Sequence, residues 1–127
     1  MRVVTLRLLF VGFIILAAAM LAVRPGAAGG DAAETRCGWF DNPTPGNASL
    51  HDREDEWIIG VQGGHQAEGD WPEFGPKQWV ETNVHYGYGC ACMSVTINRR
   101  DQTVTQIFSA RPVPLRQCRA DRKLPKP

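Results

Sequence analysis

The sequence predicts a small domain, mainly β or α+β, stapled by two disulfides. Three observations carry that expectation. Residues 88–97 and 104–110 are apolar, alternating runs around the polar turn "NRRDQ", the pattern of an antiparallel β-hairpin. Four cysteines follow an export-type leader, and an even count in that setting reads as a disulfide framework. Glycine and proline interrupt the remainder so often that only a strand near 56–62 and one short helix, near 76–82, fit there.

The leader comes first. Arg2 and Arg7 precede Leu8–Val23, an unbroken run of 16 apolar or small residues, and "RPGAAGG" follows. This is the pattern of a secretory signal peptide. Gly26 and Ala28 supply the small residues of a cleavage site, so cleavage is expected after Ala28; a cut after Ala19 would fall inside the apolar run. An uncleaved anchor is the alternative, but a spanning helix needs about 20 apolar residues. Cys37 follows "ETR" rather than a lipoprotein cleavage site, so no lipid anchor is expected. Residues 1–28 are thus read as a signal peptide and the protein as periplasmic or secreted. Residues 29–36 are small and polar and are expected to be disordered. Residues 37–127 should form one domain, short enough to need covalent help.

Along that domain, 36–52 holds two prolines and two glycines and reads as loop and turns pinned by Cys37. "NAS" at 47–49 matches a glycosylation sequon, a pattern too short to weigh. Residues 56–62 alternate, with Trp57, Ile59 and Val61 on one face, and form the first clear strand. "HQAEGDWPEFGP" at 65–76 is a loop. Pro76 suits a first helical position and Lys77–Thr82 has no breaker, hence a helix of at most about two turns, docked through Trp79 and Val80. The hairpin follows, stopped by Pro112 and Pro114. A basic, proline-ended tail closes the chain.

The cysteines fix one architectural constraint. In a strand, Ala91, Met93, Val95 and Ile97 share the core face, and Cys90, Cys92, Ser94 and Thr96 the other. Same-face residues two apart have Cβ atoms about 6.5–7 Å apart, whereas a disulfide needs about 3.5–4.5 Å. Cys90 and Cys92 therefore bond not each other but Cys37 and Cys118, and both terminal segments should lie over that face. The chain leaves the hairpin near Cys90, so the favoured pairing is Cys90–Cys118 and Cys37–Cys92. With every cysteine in the framework, a redox pair or metal clip is disfavoured.

Charge is segregated. Residues 31–81 carry 11 acids against 3 bases, and residues 82–127 carry 8 bases against 2 acids. The preferred explanation is complementary packing of the two halves. The sharper one is a basic patch (Arg111, Arg116, Arg119, Arg122, Lys123, Lys126) for an anionic envelope polymer or an acidic partner.

Motifs for chemistry are sparse. "HDREDE" at 51–56 has acids beside a histidine but no metal-site spacing, and reads as a solvated turn. "VQGGHQAEGDW" is neither a dinucleotide nor a P-loop fingerprint. No serine sits in a nucleophile-elbow context. Glu68, Asp70, Glu73 and Glu81 could do acid–base work only in a cleft that shifts a pKa. Aromatic residues are the remaining signal: Trp39, Phe40, Trp57, Trp71, Phe74, Trp79, Tyr86 and Tyr88. Most would fill a small core. Trp71 and Phe74 fall in the breaker-rich loop, which makes His65, Glu68, Asp70, Trp71 and Phe74 the candidate binding loop.

The segments "RCGW" (36–39), "NPTP" (42–45), "QGG" (62–64), "YGYGCAC" (86–92) and "QCRAD" (117–121) behind a signal peptide resemble a family of small exported bacterial proteins, a domain of unknown function. The resemblance spans about residues 36–127. It implies a bacterial envelope or secreted location and brings no activity, cofactor or catalytic residue. The expected function is therefore a non-catalytic binding or interaction module of the cell envelope, inhibitor-like in presenting a rigid loop. It would bind an envelope protein or glycan, with no nucleic acid, metal, cofactor or membrane span after leader removal. The rival readings are a small hydrolase or carbohydrate-active enzyme using Glu68 or Asp70, and a structural or stress-related surface protein.

Overall fold

The computed structural model describes residues 31–127, so the leader and the expected cut after Ala28 lie outside the described residues. In order come β1 (Glu34–Thr44), β2 (Asn47–His51), β3 (Glu56–Gly60), β4 (Trp79–Asn83), β5 (Tyr86–Asn98), β6 (Thr103–Val113) and α1 (Leu115–Ala120).

Strand β5 organises the rest. One edge pairs antiparallel with β1, from Asn42↔Gly87 to Glu34↔Val95. The other edge pairs first with β4, from Asn83↔Tyr86 to Trp79↔Gly89, and then with β6, from Cys90↔Val113 to Asn98↔Thr103. β1 continues into β2 and β2 into β3, and β3 meets β6 in parallel at Ile58↔Thr103. The circuit β1-β2-β3-β6-β5-β1 thus closes into a five-stranded barrel, with β4 as an appended strand. Closure satisfies most strand edges internally. Such barrels host many activities, so the connectivity alone assigns none.

The β3–β6 seam is narrow and the chain patches it. Ala67 N–H donates to Ile59 O at 2.8 Å, Glu68 N–H to Thr105 O at 3.0 Å, and Ile107 N–H to Glu68 O at 2.7 Å. A stretch of the expected 65–76 loop is therefore extended backbone wedged between two strands.

The interior follows the alternation. Ala91, Met93, Val95 and Ile97 of β5 pack with Phe40, Leu50, Trp57, Ile59, Val104 and Ile107. Val61, expected on the same face as Trp57 and Ile59, lies beyond the end of β3 and is exposed. The outer face of β5 has a smaller core of Trp39, Cys90, Val113 and Cys118, covered by Leu115 of α1 and Leu124 of the tail. The disulfides are Cys37–Cys92 and Cys90–Cys118, the favoured pairing. Only half of the geometric reason holds. The C-terminal segment does lie over that face, whereas Cys37 sits in the neighbouring strand, directly opposite Cys92 with Cα atoms 4.0 Å apart.

Four further expectations are corrected. The helix near 76–82 is a turn followed by strand β4. A two-turn helix is marginal alone, and the ladder to β5 offers the same residues non-local hydrogen bonds. Trp79 still docks, as expected, but from a strand. Residues 34–36, expected to be disordered, begin β1 because β5 presents an open edge to them. The "loop" at 36–52 is the β1–β2 hairpin, turning at Pro45–Gly46, with a bulge between Asp41 and Thr44 that accommodates Pro43. Pro112 does not stop β6, which runs on to Val113 before Pro114 leads into α1.

Candidate binding groove

The two ends of the barrel differ. Along β1, Glu34, Arg36, Gly38, Phe40 and Asn42 alternate toward the interior. At the Arg36 end the barrel is plugged. Arg36 is 7% exposed and donates through Nη1 to Asp52 at 2.9 Å and through Nη2 to Glu34 at 2.9 Å. Its guanidinium carbon lies 5.0 Å from the centre of the Trp57 ring, and Trp57 Nε1–H donates to Asp52 Oδ2 at 2.9 Å. Burial disfavours the Asp52 charge, but backbone N–H groups of Asp55 and Glu54, with Arg36 and Trp57, outweigh it and hold the carboxyl below its ordinary range.

At the Phe40 end the barrel is open. The register places Phe40, Gly89 and Trp79 in one row across β1, β5 and β4, and Asn42, Gly87 and Glu81 in the next. Glycine at the centre of both rows leaves a trough. The Phe74 ring drops into the first row: a Cβ on Gly89 would stand 2.4 Å from Phe74 Cε1. A Cβ on Gly87 would collide with the Val80 carbonyl, so β4 approaches this closely only because of that glycine. Ring centres of Phe74 and Trp79 are 4.9 Å apart, and Phe40 lies 5.7 Å from both Phe74 and Trp71. The result is a cleft of about 780 Å³ walled by these four rings, Pro72 and Pro76, with Asn42, Glu81 and His85 as its polar lining. That volume is in the range of small-ligand sites.

Two of the five expected loop residues, Trp71 and Phe74, line the cleft. His65 and Glu68 belong to the seam, where His65 Nε2 lies 2.7 Å from Val104 O. Asp70 is exposed and outside the cleft wall. Phe40, Asn42, Trp79, Glu81 and His85 were not expected there. The signal for them was "YGYG": alternation puts Tyr86 and Tyr88 outward and two glycines inward, and inward glycines at a barrel end mean a hollow.

Elsewhere, Ser49 Oγ and His51 Nε2 are 2.9 Å apart on β2. Ser49 is buried and His51 half-buried, and the two side chains share one face of β2. Where the charged halves meet, they do so through a few ion pairs. Among the described residues, Arg99 with Glu34 and Glu54, and Arg53 with Asp121, are the ion pairs that join them. The six basic residues of the expected patch make no ion pair among the described residues. No group of three or more His, Cys, Asp or Glu among the described residues is placed to hold a metal ion. No helix among them is long and apolar enough to cross a membrane.

Residues 31–125 match the model of a family described as "Protein of unknown function (DUF4087)". The chain belongs to DUF4087. No curated protein and no solved structure matches it. The DUF4087 match spans β1 through α1, so the barrel, both disulfides and the groove all lie within the family's domain.

Proposed function

We propose that this protein is a non-catalytic binding module of the bacterial cell envelope or its exterior, inhibitor-like in that a stapled barrel presents a rigid recognition surface. One observation carries the reading: a solvent-open cleft with four aromatic walls, Phe40 and Trp79 fixed by strand register and Trp71 and Phe74 packed against them from the intervening loop. Aromatic faces bury a large area with little loss of side-chain freedom, which suits recognition. The two disulfides support an oxidising compartment. Protein from an envelope fraction should accordingly show, by intact mass, loss of residues 1–28 and of four hydrogens; a full-length reduced cytoplasmic product contradicts the location.

The binding reading is tested by capture from envelope extract with wild type beside Trp71→Ala/Phe74→Ala. A defined protein or glycan held by wild type and weakened at least 10-fold by the double variant is expected. Capture that the variant leaves unchanged places recognition elsewhere. Turnover of an envelope polymer, abolished by Glu81→Gln, Glu68→Gln or Asp70→Asn, overturns the non-enzyme reading.

A further inference from the structure

Beside the groove runs an unsatisfied strand edge. β4 pairs with β5 on one side and with no strand on the other among the described residues. Its last three residues, Glu81, Thr82 and Asn83, are exposed. Natural sheets blunt such edges with proline, lysine, bulges or a covering segment. β4 contains no proline or lysine and carries one of these devices, a bulge between Glu81 and Asn83. At the tip of the β4–β5 hairpin stands Val84, 80% exposed and at φ 57°. A β-branched residue in the left-handed region costs about 1–2 kcal/mol, and glycine or asparagine would avoid most of it. An apolar residue kept there, in water and under strain, points to an interacting surface.

We infer that the groove and the β4 edge form one site for an extended polypeptide segment, which adds to β4 as a further strand and places an apolar side chain between Trp71, Phe74 and Trp79. This inference rests on the groove being the binding site. Strand addition supplies main-chain hydrogen bonds for affinity, and pockets for alternate side chains supply specificity.

A glycan fits less well. Sugar hydroxyls need many free donors and acceptors. The Asn42 amide N–H₂ is already spent on Thr44 O and Asn47 O, at 3.2 and 2.6 Å, and Trp79 Nε1–H on His85 O at 3.0 Å. Charge narrows the occupant further. Glu81 lines the cleft, and Asp70 and Glu73 flank it on the loop against a single Lys77. The segment should therefore carry lysine or arginine two residues from its apolar anchor, the spacing that returns to the same face of a strand.

The test uses the oxidised protein and random 12-residue peptides displayed on phage. Selected peptides are expected to combine an aromatic or aliphatic anchor with a cation at ±2. Affinity for one such synthetic peptide should fall at least 10-fold for Glu81→Lys, an exposed position whose thermal midpoint should not change, and for Trp71→Ala, whose ring packs on Phe40, measured well below that variant's own midpoint. N-methylation of the peptide backbone should abolish binding at alternate positions and spare the intervening ones. Equal effects at every position, with the groove variants still weakened, overturn strand addition while the groove survives as a binding site. Peptide binding indifferent to both variants overturns the groove itself. Selective retention on a glycan array with no peptide enriched overturns the polypeptide class. Dimerisation of wild type through β4, lost in a Thr82→Pro variant, would make a second copy the occupant and equally overturn the inference.

Discussion

Reducing both disulfides is expected to unfold the domain at 37 °C. The bridges join residues 55 and 28 apart in sequence, and loop-closure entropy assigns each about 4 kcal/mol. A domain of this size has a net stability of about 5–15 kcal/mol. The two bridges are not equivalent. Cys37 is exposed on the outer surface of β1, whereas Cys90 and Cys118, the latter a residue of α1, are both buried. Mild reductant should therefore open Cys37–Cys92 first. That bond ties strands already joined by a nine-pair ladder, so Cys37→Ser/Cys92→Ser should stay folded with a lower midpoint. Cys90→Ser/Cys118→Ser should in addition release residues 114–127, read as proteolytic nicking of the tail. Chemical denaturation with and without reductant checks this. A reduced protein whose cooperative transition keeps its midpoint contradicts it.

Replacing Asp52 by alanine is expected to cost about 3–5 kcal/mol, because it strips a partner from a buried guanidinium. Four donors converge on this carboxylate: Arg36 Nη1, Trp57 Nε1 and the backbone N–H groups of Glu54 and Asp55, all within 2.9 Å. Asp52→Asn keeps an acceptor and should lose less. The pH dependence follows from the lowered folded pKa of Asp52. An acid whose folded pKa lies below its unfolded value binds fewer protons when folded. Its contribution is complete above the unfolded value, ordinarily 3.8, and is lost as pH falls through the folded one. The stability gap between wild type and Asp52→Asn should thus be constant near neutrality and narrow below pH 3.8. Asp41 works with the opposite sign: burial raises its pKa, so its protonation on acidification favours the folded state. A gap that stays constant down to pH 2 would contradict the assignment.

What was legible in the sequence was local or covalent. Alternation across 88–97 gave both faces of β5, and the reach of a disulfide excluded a Cys90–Cys92 bond. What was not legible depended on distant pairing. "GPKQWVETN" has helix-compatible composition and becomes a strand because β5 lies beside it, a partner only the closed topology reveals. "RCGWFDNPTPGNASLHD" is rich in breakers, yet forms two strands because its turn residues fall at one turn and one bulge. The candidate site was half readable for the same reason. Trp71 and Phe74 stood out by sitting in a loop, whereas Phe40, Asn42, Trp79 and Glu81 come together only through register across three strands. His65 and Glu68 looked like loop chemistry and proved to be the backbone that completes the barrel wall.

The central claim is that the open barrel end between β1, β4 and β5 is where this protein binds. Amide and indole NMR of the oxidised domain, titrated with the ligand from capture or selection, tests it most directly. The account predicts perturbations centred on Phe40, Asn42, Trp71, Phe74, Trp79 and Glu81, with the α1 and tail signals unmoved. Perturbations centred instead on Arg111, Arg116, Arg119 and Lys123, with the Trp71 and Trp79 indoles unchanged, would contradict it and move recognition to the basic end of the chain.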